Sequence, residues 1–197
     1  MPDLKYIDLT YAMSLRDAKV SLRVHPCWPL TLIEAPALTF RNGRAIEKFS
    51  VESFFRDAVL LELTHKRPSE LIDDEDLEAA EEAAGVALRE GEIVIVRTGW
   101  EKYSFNSRRY RFGFPTLSKN AIDYLLFKRI SGVGVDSPNI DSDRKLIAHR
   151  ALFREGVLVI ENLCNLDAID ESRFQLIALP LKLRAGRSPA RVIGILG

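Results

Sequence analysis

The chain has 197 residues, long enough for one domain with a sizeable core, and its 47% apolar and 28% charged residues exclude a disordered or membrane-embedded class. Its 28 basic residues balance 28 acidic ones, so neither nucleic acid nor an anionic membrane is favoured as a partner. No apolar run approaches the roughly 18 residues of a membrane span, residues 1–9 carry three charges where a signal peptide needs an apolar stretch, and Cys27 and Cys164 lie too far apart in sequence to suggest a disulfide framework, so a cytoplasmic protein is expected.

Residues 6–10 read as a short strand. Residues 30–40 are apolar but contain Pro36, which predicts an edge strand or one that bends. Asn42-Gly43 marks a turn, and 58–63 is a buried strand. Residues 69–84 place Leu71, Ile72, Leu77, Ala80 and Ala84 at helical spacing, with Gly85 as the stop. Residues 92–98 form the clearest strand. A polar and aromatic loop follows over 101–115; its basic run Arg108, Arg109, Arg111 has no matching patch elsewhere and reads as a solvated loop or a subunit contact. Ser118 caps a helix running to Lys128. Residues 132–135 are a strand, 141–153 a helix with Leu146, Ile147 and Leu152 inward, and 157–161 a strand after Gly156. Residues 174–183, broken at Pro180, and 191–196 complete a mixed, curled sheet with helices outside, in a single domain over 1–197.

Sequence signals for familiar chemistry are few. Gly132-Val133-Gly134 lacks the third glycine of a dinucleotide loop, and there is no Gly-x-Ser-x-Gly elbow. The informative stretch runs from His149 through Gly156 to Glu161. A helix, a glycine turn and a strand can fold an imidazole and a carboxylate twelve residues apart toward one point, a pair suited to zinc or manganese. In the plainer alternative His149 lies on an exposed helix face and Glu161 pairs with an arginine; spacing alone favours that alternative. Asp136 and Asp141 read as a turn anchor and a helix cap, Arg97 as a buried partner for Glu161 or Asp136, His65 as a loop residue and Cys164 as a small core residue.

Several short segments, in order along nearly the whole chain, resemble the cyclase family that includes bacterial kynurenine formamidase. They are Ile7-Asp8-Leu9-Thr10, Asn42-Gly43 with Ile46, Val96-Arg97-Thr98-Gly99-Trp100, and Gly134-Val135-Asp136-Ser137-Pro138-Asn139-Ile140-Asp141. Ala148-His149, Ile160-Glu161-Asn162, Ile177-Ala178-Leu179-Pro180-Leu181 and Ser188-Pro189-Ala190-Arg191 continue the match. The resemblance implies a swivelling β/β/α fold, homo-oligomers (a dimer or tetramer), and two divalent cations, zinc or manganese, that serve the hydrolysis of amides, lactams or N-formyl groups.

The family's cation motif, His-x-Gly-Thr-His-x-Asp-x-Pro-x-His, anchors here at Pro36. Its histidines fall on Trp28, Leu32 and Leu38, the last being the family's proposed acid/base, and its aspartate falls on Glu34. His149 and Glu161 match the family's later ligands. Tryptophan and leucine offer a cation no lone pair. The resemblance therefore implies one remaining ligand set, Glu34, His149 and Glu161, and no catalytic residue is assigned. The extra methylene of Glu34 displaces its carboxylate by roughly 1.5 Å, so its rotamer or the ion must shift. His25 and Cys27 lie three and one residues before the lost first histidine, but a one-residue slip on a strand turns a side chain to the other face.

Two readings follow. In the favoured one, the chain is a non-catalytic or functionally diverged member. A variant of it is a metal-free small-molecule binder whose pocket is lined by Trp28, Leu32 and Leu38, with Trp100 as a further wall unless that loop is plain packing. In the alternative, Glu34, His149 and Glu161 hold one cation in a hydrolase of an amide, lactam or N-formyl substrate.

Overall fold

The computed structural model describes residues 4–12, 30–104, 107–141 and 145–197. Ten strands are described: β1 (Lys5–Asp8), β2 (Leu32–Glu34), β3 (Phe55–Glu62), β4 (Leu71–Ile72), β5 (Ile93–Arg97), β6 (Thr116–Leu117), β7 (Gly132–Val135), β8 (Leu158–Glu161), β9 (Arg173–Pro180) and β10 (Arg187–Leu196). The helices are α1 (Asp74–Ala84), α2 (Ser107–Tyr110), α3 (Lys119–Phe127) and α4 (Ile147–Arg154).

The large sheet runs β1-β10-β2-β8-β7-β5-β3-β9, and β9 pairs back onto β10, so the sheet curls into a barrel-like ring. Its β3-β5-β7-β8 portion is parallel; the pairings through β2, β9, β10 and β1 are antiparallel. The expected mixed, curled sheet with outer helices is the observed architecture.

Alternation along each strand divides the core in two. Ile33, Leu60, Ile95, Ile160, Leu176 and Val192 fill the inside of the curl. Val59, Leu61, Val96, Val135 and Val159 face outward and are covered by Leu77 of α1, Leu125 of α3 and Leu152 of α4. Each leucine or valine so buried contributes roughly 1.5–3 kcal/mol. Gly134 sits on the crowded inner side: a Cβ there would lie 2.4 Å from Ile95 Cδ1 and 2.9 Å from Leu163 Cδ1.

Three predicted elements are corrected. The stretch over 30–40, expected as an edge strand or one that bends, is a short central strand: β2 lies between β10 and β8, and Pro36 ends it by opening a 3-10 turn over Pro36–Leu38. The helix expected from residue 69 starts at Asp74. Asp73 and Asp76 form a reciprocal capping box there, and Leu71 and Ile72 pair with β6 instead. The helix expected from residue 141 starts at Ile147, after Leu146 at φ 52°. Its buried face is therefore Ala148, His149, Leu152 and Phe153, and Ile147 is exposed. Ser118 caps α3 as expected, accepting from the Ala121 N–H, and β9 ends at Pro180.

The 3-10 turn after β2 lies directly against the start of β10. A Cβ on Gly186 would sit 2.1 Å from Leu38 N and 2.4 Å from Leu38 Cα, and neither backbone atom can rotate away. The Gly186→Ala substitution is expected to destabilise the protein by about 1–3 kcal/mol, measured as a fall in the urea midpoint at unchanged m-value. A midpoint equal to that of the parent protein would show that this close approach is not required.

Candidate cation site

The candidate site is assembled at the carboxyl end of β8, on the helix-covered side of the sheet. Leu32 of β2 pairs with Glu161 of β8, so Glu34, two residues along, shares their face. Helix α4 brings His149 onto the same face. Glu34, His149 and Glu161 are 2%, 0% and 1% exposed, so the cluster has almost no contact with solvent.

The imidazole is engaged on both edges. Its Nε2 lies 2.8 Å from Glu34 Oε2 and 3.4 Å from Glu161 Oε1, and its Nδ1 lies 2.6 Å from Asp141 Oδ2. Asp141 also accepts from the backbone N–H groups of Ala148, at 2.7 Å, and His149, at 3.1 Å. It thus closes the first turn of α4, which lacks a side-chain cap at Leu146. Glu161 Oε1 accepts from the Ile140 N–H at 3.3 Å. The second oxygen of Glu34 faces the Arg187 guanidinium at 3.9 Å. The Arg187 side chain is 39% exposed, so this pairing is screened by solvent.

Several acids and one imidazole in a dry space must share protons. Burial works against charge on His149, but hydrogen bonds to Asp141, Glu161 and Glu34 outweigh it and hold the imidazole well above its usual range. Burial pushes the Glu161 carboxyl up to about 7; the Glu34 carboxylate adds to the push and His149 opposes it. Burial likewise opposes charge on Asp141, yet the ring of His149 and the two N–H groups bring its carboxyl below the ordinary range.

The donors fit a single divalent ion. Ligands about 2.0–2.1 Å from a tetrahedral zinc lie about 3.3 Å apart. The His149–Glu161 separation of 3.4 Å meets that spacing, whereas His149–Glu34 at 2.8 Å must open by about 0.5 Å. All three donor atoms lie within 4.8 Å of one another. The carboxylate of Glu34, despite its extra methylene, thus lies at the imidazole.

Leu32 is buried beside Glu161, and Leu38 is partly buried against the outer core. Trp28, His25 and Cys27 lie outside the described residues. Trp100 is buried in its own loop: its indole N–H donates to the Tyr110 carbonyl, and its ring packs edge-on against Tyr103 and Phe114. Arg97 pairs with Glu62 at 2.7 Å rather than with Glu161 or Asp136, because β3 and β5 set Glu62 directly beside it. Asp136 is the expected turn anchor, accepting from Thr98 and the Trp100 N–H. Cys164 is a buried free thiol, and His65 is exposed on a turn.

A family profile described as putative cyclase matches residues 7–142. The chain belongs to the Cyclase family. A kynurenine formamidase of Bacillus cereus (strain ZK) is 33% identical over 187 residues, covering 91% of this chain and 80% of the relative. The kynurenine formamidase of Bacillus cytotoxicus is 27% identical over 183 residues, with the same coverage. Isatin hydrolase A from Ralstonia solanacearum superposes with a TM-score of 0.85 at 18% identity, over 99% of this chain and 93% of that one. A solved structure described as a potential metal-dependent hydrolase with cyclase activity superposes with a TM-score of 0.79 at 25% identity, over 98% of both chains. Among the described residues of this Cyclase family member, no helix is long and apolar enough to cross a membrane.

The shared protons give the metal-free protein a pH signature. Glu161 and His149 both have folded-state pKa values above their ordinary ones. The stability each contributes is complete below its unfolded pKa and is lost as pH rises through its folded one. For Glu161 that window runs from 4.5 to about 7. Metal-free protein is therefore expected to melt at a lower temperature at about pH 8 than at about pH 6, and Glu161→Gln, which cannot ionise, should remove much of the difference. Thermal melts across this range test the point; a flat profile, or one rising with pH, contradicts the assignment.

Proposed function

We propose that this Cyclase family member has diverged from two-cation hydrolysis and retains a single buried divalent-cation site made of Glu34, His149 and Glu161. The observation that carries the reading is a contrast on one strand. Glu34 reaches His149 Nε2, while Leu32, on the same face and next to Glu161, presents only hydrocarbon. Leu38, beyond Pro36, is hydrocarbon as well. Oxygen and imidazole donors suit zinc or manganese. A cation held here would supply Lewis acidity. The protein's own part is to deliver two carboxylates and one imidazole to a point from which water is excluded. That seclusion supports a structural or ligand-linked role over turnover.

The 3.4 Å spacing of His149 and Glu161 favours one competing reading, a mononuclear hydrolase of an amide, lactam or N-formyl group. Elemental analysis and an aryl formamide assay separate the two. We expect about one equivalent of zinc or manganese per chain, lost in Glu161→Gln, and hydrolysis no faster than with the free ion. Formamide turnover that disappears in Glu161→Gln would establish the hydrolase. Two equivalents of tightly held metal, or none after reconstitution, would overturn the single-site proposal.

A further inference from the structure

The geometry points to Asp141 as the positioning residue of this site: it fixes the proton on His149 Nδ1 and so aims Nε2 at Glu34 and Glu161. The inference rests on the single-cation reading for its metal-binding consequence, but the ring geometry stands by itself.

The chemistry of the contact decides which ring atom carries hydrogen. Asp141 Oδ2 lies 2.6 Å from Nδ1, and an ionised carboxylate can only accept. Nδ1 must therefore donate, and Nε2, which faces Glu34 and Glu161 in the metal-free protein, is the nitrogen that would give up its proton and offer a lone pair to a cation. A carboxylate behind a ligating imidazole also raises the basicity of the ligand. Asp141 is only partly accessible to other groups, since both of its oxygens are occupied: Oδ1 takes the Ala148 N–H, and Oδ2 takes the His149 N–H as well as the ring.

One side chain thus performs two tasks that sequence separates. Helix α4 has no side-chain cap at Leu146, whose left-handed φ of 52° turns the chain into the helix. The orphan N–H groups of its first turn are met instead by Asp141, seven and eight residues upstream. The start of the helix and the orientation of its imidazole are tied to the same carboxylate. A ligand that draws on Nε2 should therefore tighten the first turn of α4, and a frayed first turn should swing the donor out of place.

Two variants separate positioning from capping. Asparagine is neutral and has one acceptor oxygen, so Asp141→Asn retains one of the two backbone cap bonds and loses the charge; Asp141→Ala loses both bonds and the charge. Cobalt(II), added alone to the full-length protein, is the probe, followed by its visible d–d spectrum. Asp141→Asn is expected to bind cobalt about 10–100-fold more weakly than the parent, with an altered spectrum and a smaller fall in melting temperature than Asp141→Ala. In metal-free parent protein, His149 should show a downfield, slowly exchanging Hδ1 resonance by NMR, and both variants should lose it. A purely structural role would lower the melting temperature of Asp141→Ala yet leave cobalt affinity and spectrum in Asp141→Asn within about two-fold of the parent; that result overturns the proposal. If the parent takes up no cobalt, the cation reading fails on its own, and the Hδ1 resonance still decides: its presence in the parent and loss in Asp141→Asn support positioning, and its absence from the parent refutes it.

Discussion

His149 sits where water does not reach, with a carboxylate on one ring nitrogen and two more near the other. Taking such charges out of water costs several kcal/mol per ion unless each finds a partner. The surrounding structure is arranged to meet that demand. β2 supplies Glu34, β8 supplies Glu161, α4 supplies the imidazole, and the segment after β7 supplies Asp141 and the Ile140 N–H. The strand order matters because it makes β2 the neighbour of β8. Were β2 an edge strand elsewhere, Glu34 and Glu161 would not share a face. The cation site and the topology are therefore one constraint seen at two scales.

Much of this was legible in the sequence, for identifiable reasons. Strands β5, β7 and β8 and helix α3 announce themselves by apolar runs, glycine stops and a serine cap, all local signals. The resemblance to the cyclase family brought Glu34 together with His149 and Glu161, which spacing alone linked only in part. The failures were failures of locality. Leu71 and Ile72 fit a helical stripe, but their pairing with β6 is a tertiary fact. Pro36 suggests an edge or a bend, whereas it marks the end of a central strand. Arg97 pairs with Glu62 rather than with Glu161 or Asp136 because the parallel register of β3 and β5 sets Glu62 beside it, a tertiary fact as well.

Asp141 shows a subtler limit. Its capping role is visible from a short polar side chain ahead of a helix, and that role is observed. Its grip on the imidazole was missed, although a ligating histidine nearly always donates its second N–H to an oxygen. An acidic residue eight positions before His149 was the available signal. Arg187 gave no signal at all, because only the pairing of β10 with β2 sets it beside Glu34.

On the proposed reading, Leu32 and Leu38 in place of the motif's histidines, Glu34 in place of its aspartate, and the matching His149 and Glu161 describe a site reduced rather than erased. On that reading Leu32 and Leu38 offer no lone pair to a second ion, while Glu34, His149 and Glu161 stand together as one donor set. A crystal grown with zinc and measured at the zinc absorption edge reads this directly. One anomalous peak is expected, about 2.0–2.2 Å from donor atoms of Glu34, His149 and Glu161. Two peaks bridged by Glu34, or a peak held by other side chains, would contradict a single-cation centre.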